Sequence, residues 1–312
     1  MRNDLIYARH YTFMLSVTVN GLRFRNPLLL ASGILDESGE SMLQVIKHGA
    51  GGVVTKSIGM EPREGYENPV IYELSYGLLN AIGLANPGIE NYGEEIKIAK
   101  RGGVPVIGSV FGKDAEEFAY LARKMEEYSV DAVELNLSCP HARGYGMEIG
   151  VDAALVEEIV REVKNKVDIP VWAKLTPNTH NIVEIAKAAS NADALVLINT
   201  VRAMAIDIEA KLPVLSNIFG GLSGPCIKPI GIRAVYEVYR EVEKPIVGVG
   251  GIIDARDAIE YIMAGASAVE IGTAIYLRGI HVFSEIASEM EDWMKKHGYE
   301  KIEELIGIAQ VR

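Results

Sequence analysis

Short runs rich in Val, Ile, Leu and Ala recur along the chain between stretches whose apolar residues return every three or four positions. That alternation is expected of buried parallel strands joined by amphipathic helical crossovers. Eight runs qualify as strands: 27–32, 51–56, 105–110, 132–137, 170–175, 194–199, 245–249 and 268–272. The helical pattern falls at 39–48, 90–101, 114–128, 152–166, 181–189, 231–242, 255–264 and 280–297. Ahead of the first run, residues 15–25 alternate apolar and polar positions about Asn20-Gly21, which predicts an antiparallel hairpin capping one end of the fold. Eight strand–helix units predict an α/β fold, a closed (β/α)8 TIM barrel, with an open doubly wound sheet as the alternative that the count alone permits. Three connections, 57–89, 138–151 and 200–229, are too long for turns. All three follow a strand, so they should close over the carboxyl ends of the strands, where barrels carry their chemistry.

Composition narrows the class. A chain of 312 residues suits one barrel domain spanning 1–312, and 49% hydrophobic residues give it ample core. The formal net charge of −11 argues against a nucleic-acid surface, so an anionic ligand must be held locally by lysines, backbone N–H groups and helix N-termini. No run of about 18 apolar residues offers a membrane span, and residues 1–14 lack the apolar centre of a signal peptide, which predicts a cytoplasmic protein. Cys139 and Cys226 have no metal-ligand spacing and are too few for an iron–sulfur centre.

Candidate chemistry gathers at the strand ends. In the fourth run Ala132, Glu134 and Asn136 alternate with Val133, Leu135 and Leu137, and Pro140 then stops the ladder. Asn136, Ser138, Cys139 and His141 therefore lie where a barrel reaction would take place. A buried small hydrophobe is the plain alternative for Cys139, and its polar neighbours weigh against it. Lys56 ends the second run, Lys174 the fifth, and Asn199-Thr200 the sixth. Lys174 should point into the barrel mouth and meet an anionic partner there, the alternative being a stem that snorkels to solvent. Glycines follow the last three strands, in Gly220-Gly221-Leu222-Ser223-Gly224, Gly248-Val249-Gly250-Gly251 and Gly272-Thr273. Loops in those places bind phosphate through backbone N–H groups, and ordinary turns are the alternative for any one of them. No Gly-x-Gly-x-x-Gly opens a helix after a strand, so a dinucleotide site of Rossmann type is not expected.

These residues resemble those of the class 1 dihydroorotate dehydrogenases, flavin enzymes built on an FMN-binding (β/α)8 barrel. The motifs that carry the resemblance are Thr55-Lys56-Ser57, the stretch from Asn80 to Gly88 (NAIGLANPG), Asn136-Leu137-Ser138-Cys139-Pro140, Ala173-Lys174-Leu175-Thr176-Pro177-Asn178, Ile198-Asn199-Thr200, Gly221-Leu222-Ser223-Gly224-Pro225 and Gly250-Gly251-Ile252. It runs from the hairpin at Leu15, just after Met14, to the helix around Trp293, and leaves Met1 and Met14 both open as the first residue.

The resemblance implies oxidation of (S)-dihydroorotate to orotate in pyrimidine synthesis. Cys139 matches the family's base, and Lys56 the lysine lying between flavin and substrate carboxylate. Lys174 is similar to the lysine at the flavin's pyrimidine edge, where a cation stabilises negative charge. Asn80, Ile82, Gly83, Leu84, Asn136, Asn199 and Thr200 correspond to substrate- or flavin-contacting positions, and Ala31, Ser32 and Ser57 to further flavin contacts. Gly224, Gly250, Gly251, Gly272 and Thr273 fall where the family holds the FMN phosphate. His141 departs from the pattern, since many relatives carry Asn there, and histidine changes charge near neutral pH.

The segment from Ile198 to Asp207, and Ile82, are more similar to the NAD-linked heterotetrameric type than to the fumarate-using homodimer. That type implies a homodimer of this chain joined to an electron-transfer subunit carrying FAD and an iron–sulfur cluster, consistent with the missing cysteines and Rossmann fingerprint. The alternatives are the fumarate-using enzyme, another FMN barrel such as a pyrimidine-reducing domain or a dihydrouridine synthase, and a non-catalytic ligand-binding barrel.

Overall fold

A computed structural model describes residues 13–137 and 149–311. Its core is a closed barrel of eight parallel strands: Leu28–Leu30, Gly52–Val54, Val106–Val110, Ala132–Asn136, Val171–Leu175, Ala194–Leu197, Ile246–Val249 and Ala268–Ile271. Each expected run contains one of them. Every strand pairs with the next in sequence, and the eighth closes onto the first through Val269↔Leu28 and Ile271↔Leu30. Burial on both faces explains the near-continuous apolar runs, since helices cover the outside and side chains fill the inside.

The covering helices begin where short polar side chains can accept from free N–H groups. Ser38, Asp114, Asp152, Asn181 and Asp254 each cap the helix that follows, Asp152 accepting from both Ala154 and Leu155. Two boundaries differ from expectation. The stretch read as 90–101 divides into a 3-10 turn, Ile89–Asn91, and a helix, Gly93–Lys100. The helix read as 231–242 starts earlier, at Lys228–Tyr239, because Pro229 is tolerated in a first turn that needs no N–H.

The hairpin is present as Val17–Val19 paired with Leu22–Phe24, with Asn20 and Gly21 both at positive φ in the turn. It plugs the amino end of the barrel. Asn20 donates to the Asp193 carbonyl, the Trp172 indole N–H donates to Asn20 Oδ1 at 2.9 Å, and Phe24 lies 6.3 Å from the Trp172 ring.

At the opposite end two of the long connections are not plain loops. The strands Ile71–Leu74 and Gly77–Asn80 from the first, and Val201–Ala203 and Gly220–Ser223 from the third, form one antiparallel four-stranded sheet. A separate small core of Leu79, Ala81, Val214 and Leu215 packs against it. Val201–Ala203 leaves directly from the end of the sixth barrel strand, which sets this lid over the carboxyl ends. A further hairpin, Ile206–Asp207 with Leu212–Pro213, and a short helix, Thr273–Arg278, were also not expected from the pattern.

Candidate active site

Side chains that alternate inward along the barrel strands build the site. Lys174 is buried, and its Nζ lies 2.8 Å from Glu270 Oε2 and 3.5 Å from Glu134 Oε1. The expected anionic partner is thus two carboxylates inside the barrel, and the snorkelling alternative does not hold. From Glu134 a chain of hydroxyls runs toward the barrel mouth: Ser109 Oγ donates to Glu134 at 3.3 Å, Ser57 and Ser109 share a hydrogen bond of 2.9 Å, and Ser32 and Ser57 one of 3.2 Å. Asn136 joins it by donating to Ser57 Oγ, Asn199 donates to Asn136 Oδ1, and the Thr200 N–H donates to Asn199 Oδ1. Six of the residues singled out from sequence, Ser32, Ser57, Asn136, Lys174, Asn199 and Thr200, therefore meet in one network.

The electrostatics of this cluster are unusual. Burial and the neighbouring Glu270 charge raise the Glu134 carboxyl to about 8, against the pull of Lys174. Burial alone would depress the Lys174 ammonium, but the two carboxylates outweigh it and drive its pKa up, so the lysine stays charged. Another buried acid, Asp36, is raised by burial and opposed by the charge of half-buried Lys56. Its carboxylate accepts from the Gly33 N–H, and its carbonyl accepts from the Lys56 N–H, which ties the Lys56 backbone to the loop after the first strand.

Beside this network the glycine positions converge. A Cβ on Gly251, already at φ +74°, would stand 2.8 Å from the Gly224 carbonyl oxygen and from the Lys228 nitrogen. Gly224 lies at φ +98° against Gly77 and Thr273, and Gly250 at φ +118°. Gly272 stands open beside Ala31, while the Thr273 hydroxyl donates to Ser223 Oγ at 2.9 Å. The other glycines of these clusters serve packing. Gly220 and Gly221 lie in a lid strand, where a Cβ on Gly220 would meet Leu215 at 2.5 Å and the Asn80 carbonyl at 2.7 Å, and Gly248 gives way to the Tyr261 ring. Of the stretch 220–224, Gly224, the position matched by resemblance to a phosphate contact, is the glycine that lies against Thr273 and Gly251.

Asn80 ends a lid strand and donates to the Gly221 carbonyl. Ile82, Gly83 and Leu84 follow it in a loop fixed by buried Asn86, which donates to the Leu84 carbonyl and accepts from Gly59 and Gly88. Cys139 lies outside the described residues, as do Ser138 and His141.

Glu270, Ser109 and Asp36 were missed in the sequence. The available signal was a polar residue breaking an apolar strand, as in Ala268-Val269-Glu270-Ile271. Among the described residues no cluster of His, Cys, Asp and Glu could hold a metal ion, and no helix is long and apolar enough to cross a membrane.

The family model described as dihydroorotate dehydrogenase matches residues 14–294. A protein of Thermoplasma acidophilum named dihydroorotate dehydrogenase B (NAD(+)), catalytic subunit, is 61% identical over 295 residues, covering 95% of this chain and 98% of that one. Proteins of the same name from Pyrococcus abyssi and Methanocaldococcus jannaschii are 55% and 51% identical, each covering 95% of this chain and 99% and 98% of their own.

Proposed function

The chain belongs to the dihydroorotate dehydrogenase family, and from that premise we propose that it oxidises (S)-dihydroorotate to orotate in pyrimidine synthesis, with electrons leaving for NAD through a partner subunit. The observation that carries the reading is the convergence of polar groups from five barrel strands and their ends, Ser32, Ser57, Asn136, Lys174 and Asn199, beside the backbone that Gly224, Gly251 and open Gly272 bring together.

That arrangement fits FMN. Gly224, Gly250, Gly251, Gly272 and Thr273 would hold its phosphate, the glycines because backbone N–H groups can approach an anion only where no Cβ intervenes. Ala31, Ser32, Lys56, Ser57, Asn136, Lys174 and Asn199 would line its ring. When bound, FMN supplies the hydride acceptor for the reaction.

The chain's own residues do the rest. Lys56 is a cation suited to the substrate carboxylate, and Asn80, Asn136, Asn199 and Thr200 bring amide and hydroxyl donors and acceptors to a cyclic imide. Ile82, Gly83 and Leu84 would close over the substrate and exclude water. Cys139 would take the proton, as a thiolate.

The names of the relatives, with their NAD(+) and catalytic subunit, support an NAD acceptor reached through a second polypeptide. Two cysteines, too few for an iron–sulfur cluster, and the lack of a Rossmann fingerprint in this chain are consistent with that division.

The test is direct. The purified chain should be yellow with non-covalent FMN, bleach anaerobically on adding dihydroorotate, and pass electrons to artificial acceptors but not to NAD. Colourless protein that also fails to take up added FMN would sink the reading. Rapid NAD reduction by this chain alone would remove the partner from it, and fumarate reduction would favour the homodimeric type.

A further inference from the structure

Two acceptor atoms in the barrel interior lack donors. Glu134 Oε2 and Glu270 Oε1 are buried without a hydrogen-bond partner, although Lys174 and Ser109 serve the other oxygens of the pair. As two carboxylates with one ammonium the cluster would carry a net negative charge in a site that water does not reach. A single additional proton cancels that net charge and makes one carboxyl oxygen a donor, and the two carboxyl groups, both held on the Lys174 ammonium, are neighbours that can share it.

We propose that Glu134 and Glu270 share one proton in the folded protein at neutral pH, and that this proton sets the net charge that the buried Lys174 site presents to the ligand above it. Geometry assigns the holder. Glu270 sits closer to the ammonium, 2.8 Å against 3.5 Å, and keeps the negative charge, while Glu134 carries the proton. The raised affinity of Glu134 for protons, caused by burial and by the charge of Glu270, agrees.

The pair faces few other groups. The third strand contributes the Ser109 hydroxyl and the fifth contributes Lys174, the latter being the one cation described there. The first, second, sixth and seventh strands, Leu28–Leu30, Gly52–Val54, Ala194–Leu197 and Ile246–Val249, carry no titratable residue. With the proton the triad is neutral, and without it the triad is negative and opposes an anionic ligand. Glu134 and Glu270 are therefore positioning residues for Lys174. The consequence for a flavin rests on the function proposed above, whereas the shared proton belongs to the chain itself.

The measurement is carbon-13 NMR of the full chain, as purified, labelled at glutamate Cδ. Exposed glutamates titrate near about 4.3, and one further glutamate, assigned by its contacts to Ser109 and Lys174, should titrate above pH 7. Glu134→Gln should delete that signal. Glu270→Gln should lower its midpoint by about 1 to 3 units, about ten- to a thousand-fold in proton affinity, because an ammonium and no second carboxylate would then face Glu134. In the FMN-loaded protein the flavin reduction potential should fall more steeply between pH 7 and 9 in the wild type than in Glu270→Gln.

A wild type in which every glutamate titrates in the ordinary carboxylate range overturns the proposal, whether or not the variants fold. So does a high-pH signal that survives both substitutions. Absence of FMN would defeat the functional reading and leave the glutamate titration to stand or fall alone.

Discussion

Exchanging Cys139 for serine is expected to leave the protein yellow and to cut the rate of flavin reduction by dihydroorotate about 10²- to 10⁴-fold near neutral pH, the range that a positioned base contributes. An ordinary thiol has a pKa near 8.5, so only about 3% is thiolate at pH 7. A serine hydroxyl without a partner base ionises far less readily, so the nearly isosteric exchange removes the base and little else. In the wild type the rate should climb with pH to a plateau whose midpoint reports the thiol in the substrate complex. Cys226→Ser is the control. That thiol is half-buried with its Sγ 3.8 Å from the Ser223 carbonyl, and burial pushes its pKa up, so it is a poor base at neutral pH. Anaerobic stopped-flow across pH 6 to 10 separates the two. Near-normal reduction by Cys139→Ser at pH 7 would move the base elsewhere, with His141 the next residue to test.

Replacing Lys174 with alanine should have a double effect that the buried pair makes unavoidable. The first is on the ligand: FMN binding and the rate of its reduction should fall about ten- to a thousand-fold, equivalent to about 1.4 to 4 kcal/mol of lost electrostatic stabilisation. The second is on the fold. Glu134 and Glu270, both buried, would lose their cation, and breaking a buried pair in this way costs about 3 to 5 kcal/mol. The sign of the pH dependence follows from Glu134, whose carboxyl pKa is already raised by burial and the charge of Glu270 and would rise further without the opposing pull of Lys174. Stability is retained below about pH 4, where the unfolded carboxyls are also protonated, and is lost as pH rises through the folded values. Denaturant titrations at pH 5 and pH 8 should therefore show the smaller deficit at pH 5. An equal deficit at both values would mean that the carboxyls are not what the lysine stabilises.

The barrel itself was legible because its strands are buried on both faces, so Val106-Ile107-Gly108-Ser109-Val110 and Val171-Trp172-Ala173-Lys174-Leu175 read as apolar runs whatever the tertiary context. The lid was not. Ile71–Leu74 is exposed along most of its length and has no apolar run, and the Gly-Gly of Gly220–Ser223 carries a turn signal although it serves close strand approach. The motif residues at strand ends were legible one by one, and their meeting in a single network follows from the expected barrel. Glu270 could be noticed as a polar break in an apolar strand, but its partner was not legible, because alternation cannot tell an inward face from an outward one until the barrel closes. Only closure sets it against Lys174, 96 residues earlier in the chain.

The lid sheet also fixes an order of events. Apart from the seam where Val269 meets Leu28, adjacent barrel strands join residues close in sequence, such as Ile107 with Ala132, whereas Asn80 bonds to Gly221 across 141 residues. Such long-range pairing gains little until the intervening strands have already brought its ends together. Assembly should run barrel first and lid last, and in the native protein the reverse step is the cheaper one. Backbone amides of Leu79 and Leu222 would then exchange with solvent through an opening that leaves the barrel hydrogen bonds intact, giving the site a door that can open without the enzyme unfolding.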